Sequence, residues 1–532
     1  MSFKENAYQQ LSITDSFSGL TAREQKALDN SWAKVFADEL FPAIDEKRFA
    51  VLYSDKASRP NTPINVIIGA LIIKEMFDYS DDEMVENLML DLHLQYALHT
   101  TSFEEQPLSD KTLSRFRKRC YDYETLHNED LYHDCVKDLS SIIAKIMGIN
   151  GRVRRMDSMM IESNIRKLSR MELLYTCISK MVILINKKES QAIPEKLKHY
   201  AEPNDFNQVI YHQRSTETDS RMQILLNDAD TLLTVCGSNY DDTTEYELLV
   251  RCLSEQTVVE NAKRRLRTRE DGIMKSTALQ NPSDPEATFR AKAGKEYRGY
   301  AANLEESVGK NGTVVTDYAY EQNIHSDSQF LKEHLEHMET PEETVILVTD
   351  GAYSGTENMT LAKEKNIDLI TTSLSGRDTT DIMAEFEFNE DGTKVIKCPA
   401  GYQPKSCSYA STGGQCHVSF QRTQCAGCPY QEQCHPKIFK RVAKVVTSKT
   451  AHDRAVIQRT MHGEEFKNYA RLRNGVETVP SNVRKNYHLD KMPRGKQRGR
   501  FFFGCKIMAL NFRKLFRYLK GQGNYAQNPV IV

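Results

Sequence analysis

The chain has 532 residues, 39% hydrophobic and 27% charged, with a formal net charge of −2. At roughly 150 residues per domain that suggests about three domains, able to bury a large core without staples. No run of about 18 apolar residues occurs and the start Met-Ser-Phe-Lys-Glu lacks an apolar signal core, so neither membrane spanning nor export is indicated and a cytoplasmic location is expected.

The small net charge hides an asymmetry. Between Pro436 and Gly521 there are 22 Lys and Arg against 5 Asp and Glu, so the rest of the chain carries the balancing acidic excess. A basic block of that kind is the footprint of a polyanion binder, the plain alternative being a solvated basic surface. Lys485 and the run Arg494, Lys496, Arg498, Arg500 are its candidate phosphate contacts.

Residues 1–35 are polar, contain the lone tryptophan, Trp32, and read as an extension. Residues 36–148 read as helical. A helix opened by Pro63 runs to Tyr79, Ser80-Asp-Asp-Glu83 forms a capping box for the next, and Pro107-Leu-Ser-Asp110 caps a third from Lys111 to Cys120. In that third helix Leu113, Phe116 and Cys120 form the inward stripe. Arg115 and Lys118 on its basic face are candidate DNA contacts, against the plain reading of an ordinary solvated face.

Gly151 to Ile161 reads as a strand with Asp157 midway, flanked by bulky residues; an acid there wants a metal or a cation. Ser169 to about Asn281 reads as helical, with a basic cluster at Lys263-Arg264-Arg265-Leu266-Arg267, and ends at Pro282 and Pro285. Lys295–Leu304 and Gly312–Tyr320 read as a hairpin. A helix capped by Asp327 follows, then the buried strand Thr344–Val348, which delivers Asp350 to its carboxyl end. Open α/β sheets place their chemistry at such ends. The plain alternative is that Asp350 caps the helix starting near Ser354. That helix runs through Lys365 to another strand, Asp368–Thr372. With the helical insertion removed, this order is that of a ribonuclease H-like α/β fold, a mixed sheet with helices on both faces.

Of the twelve cysteines, six crowd between Cys398 and Cys434. Cys425-x-x-Cys428 with Cys434 shortly after is a metal pattern, and Cys398 in Lys-Cys-Pro-Ala-Gly is the expected fourth thiolate of a tetrahedral structural zinc. Cys407, Cys416, His417 and His435 are substitutes for Cys398, and an iron–sulfur cluster or inert thiols are the alternatives to zinc.

Arg59-Pro60 with Pro63, Ser80 to Asn87, Asp91-Leu92 and Ser109-Asp-Lys-Thr-Leu-Ser-Arg-Phe-Arg117 resemble the InsH-like N-terminal domain of bacterial insertion-sequence transposases. Met156-Asp157-Ser158, Tyr297-Arg-Gly-Tyr300, Val348-Thr-Asp-Gly-Ala-Tyr353 and Arg473-Asn-Gly-Val-Glu477 resemble the DDE catalytic domain of the same enzymes. The resemblance implies an all-α DNA-binding domain over 36–148 and a ribonuclease H-like DDE domain over 149–520. The latter would carry a helical insertion at 165–290 and a Cys-rich one at 378–450, leaving 521–532 as a tail. It implies a catalytic set of Asp157, Asp350 and Glu477, the last on a late helix, holding two Mg²⁺ or Mn²⁺ ions for in-line attack on phosphodiesters. Glu464 and Glu465 are alternative third acids. Around Glu477 the related signature keeps Arg473, has Arg484 in place of Lys and Ala470 in place of Tyr, with Tyr469 one position off, while Pro480 threatens a regular helix. The Cys-rich segment has no tryptophan to stack on a flipped base, although Tyr402, Tyr409, Phe420 and Tyr430 are available, so hairpin chemistry is not expected.

The implied function is Mg²⁺-dependent cutting and strand transfer of the element's own terminal repeats, with double-stranded DNA as partner, a dimer or larger synaptic complex, and a place at the nucleoid. A degenerate zinc-containing DNA binder and a metal-dependent nuclease without strand transfer are the alternatives.

Overall fold

Local chemistry sets the N-terminal helices. In the computed structural model Ser80 and Glu83 exchange side-chain and backbone hydrogen bonds as a full capping box at the head of the helix Asp81–Leu90, and Pro63 precedes the helix Ile64–Phe77. The third helix runs Thr112–His127, past the expected end at Cys120; Lys111 stands at its cap position with no side-chain cap, so Pro107–Asp110 does not cap it, and it stops where Asn128 turns left-handed. The structure describes residues 1–6, 17–56, 58–100, 106–211, 218–237, 239–261, 263–292, 294–372, 378–461, 463–489 and 492–522.

The chain divides into two compact units. One gathers Met1–Gly151, Asp157–Glu333 and the segment starting at Thr478; the other holds Arg152–Met156 and His334–Glu477.

In the first unit every residue from Ile64 to Met76 is buried, so this helix is apolar all round and central. Its two buried charges are compensated: Lys506 Nζ reaches Glu75 at 2.6 Å, Lys74 reaches Asp81 at 3.0 Å, and Arg117 also pairs with Asp81. Lys506 lies on the 24-residue helix Lys496–Leu519, which fills the core with Phe501, Phe503, Ile507, Met508, Phe512 and Leu515. One core therefore joins N-terminal helices, a middle hairpin and the late helix.

The strand β1 (Val153–Glu162) is shared between the units. Within the first unit lie a short hairpin, β2 (Thr257–Glu260) and β3 (Lys263–Leu266), then β4 (Thr288–Lys292), β5 (Lys295–Gly309) and β6 (Gly312–Gln322), with β5 antiparallel to both β4 and β6. The β2–β3 hairpin falls where a helix was expected. Thr257, Val258 and Val259 are β-branched, and Arg264 and Arg265 are held by Asp230 and Asp271. The helices between Arg170 and Gln256 have their own apolar core around Leu174, Ile178, Leu226 and Leu249.

In the second unit the start of β1 pairs in parallel with β7 (Val345–Thr349), and β7 with β8 (Ile367–Thr371). Two short strands, β9 (Glu387–Phe388) and β10 (Val395–Lys397), precede an antiparallel sheet of β11 (Ser406–Ala410), β12 (Gln415–Gln421), β13 (Lys437–Ile438) and β14 (Val442–Thr447). These parallel and antiparallel ladders among many helices fit the ribonuclease H-like expectation.

Asn511 ties the late helix to β6. It is fully buried, accepts from Val315 N–H at 3.0 Å, and donates to Val315 O at 2.7 Å and Ser140 Oγ at 3.0 Å. Asn511→Leu leaves a buried backbone N–H and C=O unpaired and should cost about 2–4 kcal/mol, read as a lowered urea midpoint with unchanged m.

Candidate active site

Five residues of β7 run with Val345, Leu347, Val348 and Thr349 buried, and Asp350 follows at the carboxyl end. The backbone N–H of Ala352 donates to Asp350 Oδ1 at 2.8 Å, the side-chain turn that Asp favours. The next helix begins only at Thr356 with Gly355 as its cap residue, so Asp350 is not a helix cap.

Glu477 comes from a different element. The helix Glu464–Asn474 ends in a 3₁₀ turn, Gly475–Glu477, and the helix Thr478–Asn486 follows directly. The acid thus sits on the turn between two helices and not within a late helix. Pro480 explains this: it is third in the new helix, where its missing N–H has no partner to lose.

Arg473 brings the two acids together. One guanidinium nitrogen lies 2.6 Å from Glu477 Oε1 and the other 3.6 Å from Asp350 Oδ2. The arginine side chain is 17% exposed, Asp350 30% and Glu477 60%. A single cation therefore lies between two carboxylates that come from distant parts of the sequence.

Arg155 on β1 positions this corner, and sequence reasoning missed it. It is fully buried, and its guanidinium donates to the Leu472 carbonyl at 2.7 Å, satisfying one of the unpaired carbonyls at the end of the helix Glu464–Asn474. The available signal was an arginine two places before Asp157 in a strand otherwise apolar enough to be buried.

Asp157 belongs to the first unit's part of β1. It is half-buried, and Ser158 N–H donates to its Oδ1 at 2.9 Å. The hydroxyl of Ser158 donates to Asp327 at 2.5 Å. Of the substitute acids, Glu464 pairs with Lys467 at 2.6 Å and Glu465 accepts from Tyr469 at 3.4 Å.

The Cys-rich segment builds a second feature. Cys398, Cys425, Cys428 and Cys434 all line one cavity of about 20 Å³, room for about one water-sized body. Two turns carry them. Gly401 (φ +80) closes Cys398-Pro-Ala-Gly by donating to the Cys398 carbonyl, and Gly427 (φ +85) gives Cys425-Ala-Gly-Cys428 the left-handed bend that other residues resist. Burial and then Cys428, Cys398 and Cys425 push the Cys434 thiol up to about 11; burial and the thiols of Cys398 and Cys428 raise Cys425. All twelve cysteines are free thiols. Among the described residues no group of three or more His, Cys, Asp or Glu side chains is arranged so that it could hold a metal ion. Burial and the neighbouring Cys407 thiol push the Cys416 thiol up to about 11, while His417 and His435 are exposed.

Two family models match the chain. The description "Transposase DDE domain" covers residues 397–516, and "Transposase domain (DUF772)" covers residues 23–119. Together they support a DDE transposase of an insertion sequence. No curated protein and no solved structure matches the chain. The DDE match takes in all six clustered cysteines, Arg473, Glu477 and the late helix as far as Phe516.

A transposase family implies DNA binding, and the candidate DNA contacts fall into two groups. Arg484, Lys485, Arg494 and Arg498 are exposed, with Arg484 and Arg494 also donating to the carbonyls of Met160 and Asn164. Arg115 is exposed as well. Others are engaged internally: Lys496 with Glu321 at 2.6 Å, Arg500 with Glu124 and Asp130, Lys118 with Asp122 at 2.8 Å, and Arg473 with the two acids. Among the described residues no helix is long and apolar enough to cross a membrane.

Replacing Arg155 with Met should free the end of the helix Glu464–Asn474. Amide exchange over residues 464–477 is expected to speed up about tenfold or more while the helix Lys496–Leu519 keeps its protection, matching the loss of about 1.5–3 kcal/mol from one charged hydrogen bond.

Proposed function

We propose that the chain binds the terminal inverted repeats of its own element and carries out Mg²⁺-dependent strand cleavage and strand transfer, with Asp157, Asp350 and Glu477 as the catalytic carboxylates. The observation that carries the reading is the meeting of Asp350 and Glu477 on the one guanidinium of Arg473, from elements far apart in sequence. Asp157 is added to them from the sequence, where Met156-Asp157-Ser158 carries the resemblance.

Asp350 and Glu477 suit hard divalent ions: they are oxygen donors, partly exposed, and already share one cation. When bound, Mg²⁺ would supply Lewis-acid stabilisation of the attacking and leaving oxygens. The protein's own part is to hold the acids. Ala352 N–H orients Asp350, the 3₁₀ turn presents Glu477, and Arg155 fixes the helix end from which Arg473 projects. Released from the carboxylates, Arg473 is a forked donor suited to a phosphate.

For the second feature the reading is a structural zinc on Cys398, Cys425, Cys428 and Cys434. Thiols that raise one another's pKa in a small cavity are stabilised by a cation that takes them as thiolates. Four thiolates leave no open position, so the site is a clip. The assembly follows from the reaction: joining two ends calls for at least a dimer.

Purified protein incubated with duplex DNA carrying candidate ends, with Mg²⁺ or with a chelator, tests this directly. Joined products support the transposase, nicks alone point to a nuclease, and retention without cleavage to a DNA binder. Asp157→Asn, Asp350→Asn and Glu477→Gln should each lower cleavage by about a thousandfold and leave DNA retention intact.

Metal analysis of the purified protein should find about one zinc per chain. The double substitution Cys425→Ser, Cys428→Ser should lose it and lower the melting temperature. Unchanged zinc content would remove the clip.

A further inference from the structure

A cleft of about 310 Å³ opens in the N-terminal part of the first unit. Arg59, Arg115 and Arg119 line it together with Tyr53, Ser109 and Thr112, and among the described residues no Asp or Glu does. Arg115 and Arg119 stand one turn apart on the helix Thr112–His127, and Arg59 comes from the Arg59-Pro60 segment ahead of the helix Ile64–Phe77. The guanidinium of Arg119 lies 4.7 Å from the ring centre of Tyr53, which limits its swing.

Many other arginines of this unit are neutralised. Arg117 pairs with Asp81, Arg48 with Asp134 and Asp138, and Arg500 with Glu124 and Asp130. Arg59, Arg115 and Arg119 form no ion pair among the described residues. Three like charges facing one cleft repel one another unless an anion enters, and guanidinium forks match phosphate oxygens two at a time.

We propose that this cleft seats backbone phosphates of double-stranded DNA, a site that rests on the transposase reading and gives it an anchoring point apart from the acids. Arg59 and Arg115 are exposed, so the charge is offered at an open surface suited to a run of phosphodiesters more than to a small enclosed anion. The contact is sequence-independent. It adds affinity and fixes register, while base reading falls to other residues.

The test is the salt dependence of duplex binding by the full-length protein, followed by fluorescence anisotropy between about 50 and 200 mM salt. Arg59→Ala, Arg115→Ala and Arg119→Ala combined should flatten the slope of log K against log salt by about 2 to 3 and weaken binding at the low-salt end by tenfold or more. A control removing three exposed cations elsewhere, Lys26→Ala, Lys187→Ala and Lys310→Ala, should move the slope by less than about 1. Arg119→Lys alone, which keeps charge and fold, should leave most of the slope in place.

An unchanged slope in the arginine variant with an unchanged circular dichroism spectrum overturns the proposal, and so does an equal fall in the control. Inorganic pyrophosphate separates a small-anion pocket from a DNA surface. If it protects the wild-type cleft from an arginine-specific reagent at micromolar concentration while duplex DNA does not, the DNA assignment is wrong. Strand cleavage is scored separately: protein that cuts nothing yet shows the slope change keeps the cleft and loses the DDE reading, and protein that cuts with no slope change loses the cleft alone.

Discussion

Two carboxylates brought to one point need a cation between them, and Arg473 supplies it for Asp350 and Glu477. The rest of the second unit follows from that requirement. Asp350 is fixed because β7 is buried between its parallel neighbours; Glu477 is fixed because Arg155, anchored in β1, holds the preceding helix by its last carbonyls. The Cys-rich sheet inserted between the two acids has its own small core of Phe386, Val395, Val418, Phe420 and Val445. An insertion that buries its own apolar surface can lengthen the connection without loosening its ends, since loop closure grows only slowly with length.

The charge asymmetry of the chain has a partly internal explanation. The basic C-terminal block does not stand as an unpaired cationic surface: Lys496 meets Glu321, Arg500 meets Glu124 and Asp130, Lys506 meets Glu75 and Lys514 meets Glu306. Acids from the earlier chain neutralise cations from the late helix inside one core. Lys506 and Glu75, both almost fully buried, show how closely this matching is enforced, because either charge left alone there costs several kcal/mol. Net charge along the sequence therefore reported which segments fold together.

Much of the fold was legible because its signals are local. The capping box at Ser80, the proline before Ile64, the buried run of β7 and the hairpin of β5 and β6 each rest on residues within a few positions. What escaped depends on partners far away. The β2–β3 hairpin lay hidden in charged sequence because its arginines are held by Asp230 and Asp271, and Arg155 looked like one more charge until Leu472 was seen opposite it. For Glu477, Pro480 signalled an irregularity, and only the backbone shows that it becomes a 3₁₀ turn before a fresh helix. The sharing of one core by N-terminal helices and the helix Lys496–Leu519 is a long-range fact that composition does not carry.

Under the proposed function a site built from acids faces a difficulty of its own: carboxylates that would attract divalent ions would also repel the phosphates they are to act on. Arg473 offsets part of that charge before any ion arrives, and while it is paired with Asp350 and Glu477 it is not offered to the duplex. DNA affinity must then come from cations that no carboxylate claims. In the described chain those include the exposed Lys485 and Arg498 and, most concentrated, the three arginines around the cleft beside Tyr53. Separating the residues that hold the polymer from those that cut it lets each keep the charge its task demands.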